Sequence, residues 1–173
     1  MIIVECDVPA ASVLDRQLVS QAWFTDAYRA PLSRPDATVI DLFFAVFGHH
    51  PRWMKQVLII RNALARASGL DAPSVDEILQ ARRHAHYQVG DKIGPWPIFA
   101  LSPDELVAGR NNKHLDFRLS VLREPGQSAA SAVISTVCTV HNLSGKVYLF
   151  FIVPFHRWGV KLLIARAMAA GRL

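Results

Sequence analysis

The stretch His114-Leu115-Asp116-Phe117-Arg118-Leu119-Ser120-Val121-Leu122-Arg123 decides the fold class. Leu115, Phe117, Leu119 and Val121 fall on one side of an extended chain, and His114, Asp116, Arg118 and Ser120 on the other. Side chains alternate across a strand, so this period of two predicts a strand over 114–123, with the four apolar residues buried in a core. On its N-terminal side, Arg110-Asn111-Asn112-Lys113 reads as a hairpin turn, because asparagine tolerates the left-handed positions that tight turns use. That turn leads back to strands over 105–109 and 95–101, separated by Ser102-Pro103-Asp104-Glu105. On its C-terminal side, Glu124-Pro125-Gly126-Gln127 is a turn before a Val-, Ile- and Thr-rich strand over 130–141. No helix-length segment separates these strands, so parallel crossovers are not expected.

The chain then changes period. Trp158, Leu162, Ala165 and Ala169 recur at spacings of three and four, which predicts a long C-terminal helix over 146–171 with an apolar face. Pro154 is expected to bend or break it, since proline lacks the amide proton and crowds the preceding turn, and Phe155 is expected to pack inward.

Before the meander, residues 2–8 read as a short strand or fixed arm and residues 9–18 as a short helical stretch. Residues 22–30 form a strand whose alternation is interrupted by Asp26 and Arg29. A helix pair follows. The first begins near Ser33-Arg34-Pro35-Asp36, carries Val39, Leu42, Phe43, Val46 and Phe47 on one stripe, and ends at Gly48. The second runs over 51–67, with Trp53, Val57, Ile60, Leu64 and Ala67 on one face and Gly69 as its terminator. A short helix over 74–81 opens on a capping box of Ser74 and Glu77. Helices segregated from a hairpin-linked antiparallel sheet of about five clear strands make a single α+β domain.

Composition narrows the function classes. Of 173 residues, 51% are hydrophobic and 19% charged, enough apolar material for a core and too much for a disordered chain. The net charge of +5 permits an anionic partner without requiring one. Aromatic residues do not interleave with the basic ones, so nucleic-acid binding is not expected. Cys6 and Cys138 are too few for a disulfide framework, and Cys138 reads as a small buried group. The N-terminus lacks the basic and apolar blocks of a signal peptide, and the reading places the chain in the cytoplasm. The uncharged run 147–155 is only nine residues before His156, Arg157 and Lys161 intervene, so no transmembrane segment is expected, although a surface contact at that end is allowed. There is no phosphate loop, dinucleotide fingerprint or nucleophile elbow, so catalytic residues are unknown.

Two groups of polar residues are candidates. His114, Asp116 and Arg118 share a strand face, either as an acid–base or anion-binding row or as a polar outer face with an Asp–Arg pair. His141 closes one strand, and His156 with Arg157 lies in the last helix, either converging with His114 or tethering that helix to the sheet. The spacing lacks a metal-ligand motif, so neither a metal nor another cofactor is expected.

Three motifs carry a resemblance. They are Asp91-Lys92-Ile93-Gly94-Pro95-Trp96, then His114-Leu115-Asp116-Phe117-Arg118, and Thr139-Val140-His141-Asn142 with Gly145, Tyr148 and Pro154-Phe155-His156-Arg157. In this order they resemble a family of bacterial proteins known only as a domain of unknown function, DUF2867, over about residues 20–168. Family members tend to have acidic residues in the turn before the second motif, where this chain has Asn111-Asn112, which weakens any role needing a carboxylate there. The family is similar to the Bet v 1-like, or START-like (SRPBCC), superfamily. That likeness implies a helix-grip fold, a curved antiparallel sheet on a long C-terminal helix, with an apolar cavity between them. It implies a domain binding an apolar or amphipathic small molecule. The alternatives are a polyketide-cyclase type of enzyme using the same cavity, and a structural or protein-interaction domain, with a homodimer compatible with any of these. In such a cavity Phe155 and Trp158 would hold an apolar tail, and Arg157 and Lys161 a carboxylate head.

Overall fold

The computed structural model describes residues 2–14, 16–67, 74–79, 83–126 and 130–173. Gly69, Gln127 and the last two residues of the expected 74–81 helix lie outside them. The order is β1 (Val4–Glu5), α1 (Arg16–Ser20), β2 (Phe24–Pro31), α2 (Val39–Phe47), α3 (Met54–Ala67), α4 (Val75–Leu79), β3 (Lys92–Ile93), β4 (Trp96–Leu101), β5 (Glu105–Asn111), β6 (Leu115–Glu124), β7 (Ser131–Val140) and α5 (Leu143–Ala169). The strands form one antiparallel sheet in the order β1-β2-β7-β6-β5-β4-β3. Among the described residues the sheet therefore has seven strands rather than about five, because β1 and β3 are two-residue edge strands with no readable alternation.

The register builds rows across the sheet. Phe24 stands opposite Cys138, and Cys138 opposite Phe117. One row along, Asp26 opposes Thr136, which opposes Leu119; next, Tyr28 opposes Ile134, which opposes Val121. Directly opposed residues share a face, so these rows form one inner face. The helices α2 and α5 lie against it, α2 on β5 and β6 and α5 on β2 and β7. Leu115, Leu119 and Val121 are buried as expected, while Phe117 is half-buried. The opposite face is not simply polar, because α1 and Leu14 cover Val107 and Val137 there.

The hairpin between β5 and β6 departs from expectation. Among the described residues no non-glycine residue has a positive φ. Asn112 instead turns the chain with its side chain, whose Oδ1 accepts from the amides of His114 and Leu115. The first long helix begins at Thr38, later than the expected Ser33-to-Asp36 start, with Thr38 and Asp41 in a reciprocal capping box; such a cap is worth about 1 kcal/mol. Ser74 and Glu77 form the capping box expected of α4.

The helix faces are the larger correction. Trp53, just before α3, and Ile60 and Leu64 on it are exposed, and Met54 and Ala65 are buried instead. The run Val57-Leu58-Ile59-Ile60 is apolar around more than half the helix, so spacing alone does not choose a side. On α5, Val160, Leu163, Ile164 and Ala167 enter the core, whereas Trp158, Ala165 and Ala169 of the expected face are exposed. Pro154 does not break α5, which runs unbroken through it. Pro154 sits on an exposed position, where water can replace the amide that Phe150 loses as a partner. Phe155 is likewise exposed rather than packed inward. The helix starts at Leu143, capped by Asn142, whose Oδ1 accepts from the amide of Gly145. Gly145 is pressed so closely on the carbonyl of His114 that a Cβ would collide with it. By length and composition alone, α5 is long and apolar enough to cross a membrane, which reading only the uncharged run 147–155 does not detect.

Candidate functional site

A cavity of about 380 Å³ lies between the inner face of the sheet, α3 and α5. Its sheet wall includes Phe24, Leu115 and Phe117, its α3 wall Met54 and Val57, and its α5 wall Val153 and Val160. It exists because α2 fills only one half of the inner face with aromatic packing, Phe43 and Phe47 meeting Trp96 edge-on. The other half is roofed by α3 and α5, which are joined by Trp53, the residue before α3, and Trp158, past the middle of α5, ring centres 5.2 Å apart.

The polar part of this wall centres on Asp26. Its side chain is 1% exposed. Tyr28 donates its hydroxyl to Asp26 Oδ2 at 3.0 Å. His156 Nε2, reaching down from α5, lies 3.4 Å from the same oxygen and 3.1 Å from Thr136 Oγ1. His156 Nε2 therefore faces the Asp26 carboxyl and the Thr136 hydroxyl together. Asp26 Oδ1 is buried without a hydrogen-bond partner among the described residues. Burial, reinforced by the neighbouring Asp26 carboxyl, pushes Tyr28 above the usual phenol range, so it remains a donor. Phe24 meets His156 edge-on at 5.6 Å and fixes the ring's tilt. His156 and Thr136 line the cavity, and Asp26 stands behind them.

Other polar groups are spaced around the wall. Arg61 of α3 and Tyr148 of α5 both line it and bond each other; burial raises Tyr148, and the Arg61 charge opposes that rise. Arg110 and Asn112 reach it from the β5–β6 hairpin. His50 lines it too, and among the described residues neither of its ring nitrogens closes a hydrogen bond. Burial lowers its proton affinity, outweighing the Ile78 and Phe47 backbone groups that favour the cation. Cys138 is a free thiol in the same wall, pushed up to about 12 by burial and by Asp26, so it stays protonated and unreactive. Among the described residues no group of His, Cys, Asp and Glu is arranged to hold a metal ion.

The residues singled out in the sequence divide sharply. Phe155 and His156 line the cavity, Phe155 at its exposed rim. His156 also tethers α5 to the sheet through Thr136, as expected of it. His114, Asp116, Arg118 and His141 do not line it. Asp116 pairs with His141 at 3.2 Å rather than with Arg118. Arg118 instead donates to Asn111 at 2.6 Å and stacks 3.6 Å over Phe99, and burial lowers its proton affinity. His114 Nδ1 meets Asn142 Oδ1 at 3.0 Å. Arg157 and Lys161 are not the cavity's cations. Arg157 lies over Phe24 at 5.4 Å, and Lys161 is bound to Glu5 at 2.9 Å in a shallow groove, with Trp158, on another side of α5. The cationic lining comes from Arg61 and Arg110, which sequence reasoning passed over. It also passed over Asp26, read as an interruption. The missed signal was its parity: Phe24, Asp26, Tyr28 and Ala30 share one side of β2, so a carboxylate sits in the middle of an otherwise apolar inward row.

The pattern of the family described as a protein of unknown function (DUF2867) matches residues 18–163. No curated protein and no solved structure matches the chain. With most of its length covered by that one pattern, the chain belongs to the DUF2867 family.

Proposed function

We propose that this DUF2867 chain is a single domain that holds a small, mainly apolar molecule between its sheet and the helices α3 and α5. The observation that carries this reading is the cavity of about 380 Å³ with apolar walls and a few convergent polar groups, the usual form of a small-molecule site. The seven-stranded antiparallel sheet with a long C-terminal helix supports the finer reading of a helix-grip, START-like domain, in which such a cavity is the functional centre. The bound molecule carries a hydroxyl or carbonyl that meets His156 and Thr136, and an acidic or polar group near Arg61 or Arg110. Native mass spectrometry of protein purified from its own host, followed by extraction, tests this. A co-purifying apolar compound bearing an oxygen function is expected. A bare protein that also shows no thermal shift with fatty, aromatic and polyketide-like ligands overturns it and favours a structural or partner-binding domain.

A second reading, turnover of the ligand, is favoured by one arrangement: a buried carboxylate orients a histidine that borders the cavity. His156 would take a proton from an acidic C–H of the ligand, leaving the carbanion to cyclise, and the Asp26 carboxyl would steady the imidazolium so formed, as a cyclase of the polyketide type requires. Deuterium exchange into the extracted ligand, lost in His156→Gln but not in Tyr148→Phe, separates turnover from binding.

A further inference from the structure

We infer that the exposed faces of α3 and α5 seat this protein on an anionic membrane surface around the mouth of its cavity. Large apolar side chains crowd these two helices. Phe150 is 70% exposed, Phe155 61% and Ile60 62%, and Phe151 and Trp158 are more than half exposed. The helices are antiparallel neighbours: Trp53 just before α3 packs on Trp158, and Ala65 near its end clusters with Tyr148. Their exposed residues therefore form one surface, and Ile60, Leu64 and Phe155 belong both to it and to the cavity lining. Scattered exposed apolar residues need no explanation, but a continuous apolar surface of this kind marks an interaction site.

Charge identifies the occupant. Neither α3 nor α5 contains an Asp or Glu, while Lys55, Arg61, Arg66, Lys146, Arg157 and Arg166 lie along them besides the paired Lys161. The segregation runs through the whole chain: all 14 Asp and Glu precede residue 125, and residues 125–173 supply the entire net charge of +5. A second copy of the chain meeting this face about a two-fold axis would oppose cation to cation. An anionic lipid surface takes both components, the aromatic side chains entering the headgroup boundary and the Lys and Arg stems reaching phosphate.

The helix lies in this surface and does not span it. Only 28% of its most apolar 18-residue window is buried in the fold, unlike a core helix. Yet its C-terminal half gives Val160, Leu163, Ile164 and Ala167 to the core, and spanning would strip them out. The consequence for the ligand rests on the cavity reading above: an apolar molecule passes between bilayer and cavity without crossing water.

Co-sedimentation of the full chain with vesicles tests the docking directly. Binding is expected to vesicles of equal parts phosphatidylcholine and phosphatidylglycerol, to weaken with added salt, and to be at least about tenfold poorer to phosphatidylcholine alone. The pair Phe150→Ser and Phe151→Ser, at exposed positions, should keep the melting temperature and lose binding by about tenfold or more. Lys146→Glu, a single exposed charge reversal, should weaken it in the same direction and decides the matter if the double variant does not fold. Undiminished binding by a folded variant, equal binding to neutral vesicles, or a dimer in solution that the Phe variants dissolve would each overturn the inference. Vesicle binding needs no ligand, so an empty cavity by mass spectrometry leaves this result standing.

Discussion

Two buried carboxylates sit on opposite faces of the same sheet and are treated in opposite ways. Glu105, on the outer face, is 1% exposed and fully occupied: Oε1 accepts from Ser12 at 2.5 Å and also from Ser120, and Oε2 accepts from the Val13 amide at 2.6 Å. It staples the N-terminal segment across the sheet. Asp26, on the inner face, crowds Tyr28 and His156 onto one oxygen and leaves the other without a partner among the described residues. A buried acceptor left unmade costs about 1–3 kcal/mol. A fold that satisfies one carboxylate completely and leaves its counterpart half satisfied has kept unused hydrogen-bonding capacity just behind the cavity wall, next to the histidine that borders it. That difference distinguishes the two acids more clearly than burial does, since burial is nearly equal.

The largest effect that tests this contrast is on the outer face. Glu105→Ala strands the Ser120 hydroxyl and the Val13 amide and releases the 12–14 segment, so a loss of about 3 kcal/mol is expected in urea unfolding, with ligand affinity unchanged in what remains folded. A loss below about 0.5 kcal/mol would mean that the staple is cosmetic. Asp26→Asn is the matched change inside. It keeps the shape and removes a poorly satisfied buried carboxylate, so stability should hold or rise by up to about 1 kcal/mol. Ligand affinity should nevertheless fall about tenfold, because the orientation of His156 is lost. If Asp26→Asn instead unfolds the protein and Glu105→Ala does not, the assignment of roles is reversed.

How far the sequence showed this follows from the length of each pattern. The strand over 114–123 repeats its alternation often enough to give both its existence and its inner face, and β7 followed from composition. β1 and β3 are two residues each, shorter than any period, and only pairing with a neighbour reveals them. The packing side of α3 was hidden by an apolar run broader than one face, and that of α5 by a helix apolar nearly all round. At the site, His156 was visible as a polar residue in an apolar helix. Its partner Asp26 lies 130 positions earlier, and Thr136 is one of several similar residues in a strand; the register that joins them is set by β2 pairing with β7.

His50 extends the comparison along the inner wall with a smaller effect. Burial depresses its proton affinity in the folded state. Below the ordinary histidine value of about 6.5 the unfolded chain takes up a proton more readily than the folded one, so stability falls as pH drops and is flat above that value. His49, depressed by burial and by Arg172, adds to the same slope. In His50→Leu the decline between about pH 6.5 and 5 should become shallower, measured by melting temperature against pH, with the remainder set by His49. An unchanged slope would show that His50 is not the group responsible.

The smallest expected change in stability asks whether the space beside Asp26 is truly open. Gly159 lines the cavity on α5, three residues after His156, and a Cβ built on it meets nothing within 4 Å. It has no positive φ that would require glycine. Gly159→Ala should therefore gain about 0.5–1 kcal/mol from helix propensity alone, since alanine loses less backbone entropy there. A methyl group leaves most of the cavity, so ligand binding should persist. Gly159→Leu presents a full side chain to the same void. If the void is real, the protein tolerates leucine with a melting temperature near that of the alanine variant, and the ligand is displaced. If the wall closes in solution and the space is filled, leucine overpacks it and costs about 1–3 kcal/mol. The sign of the step from alanine to leucine thus reports directly on whether the inner face keeps room for a molecule next to its half-satisfied carboxylate.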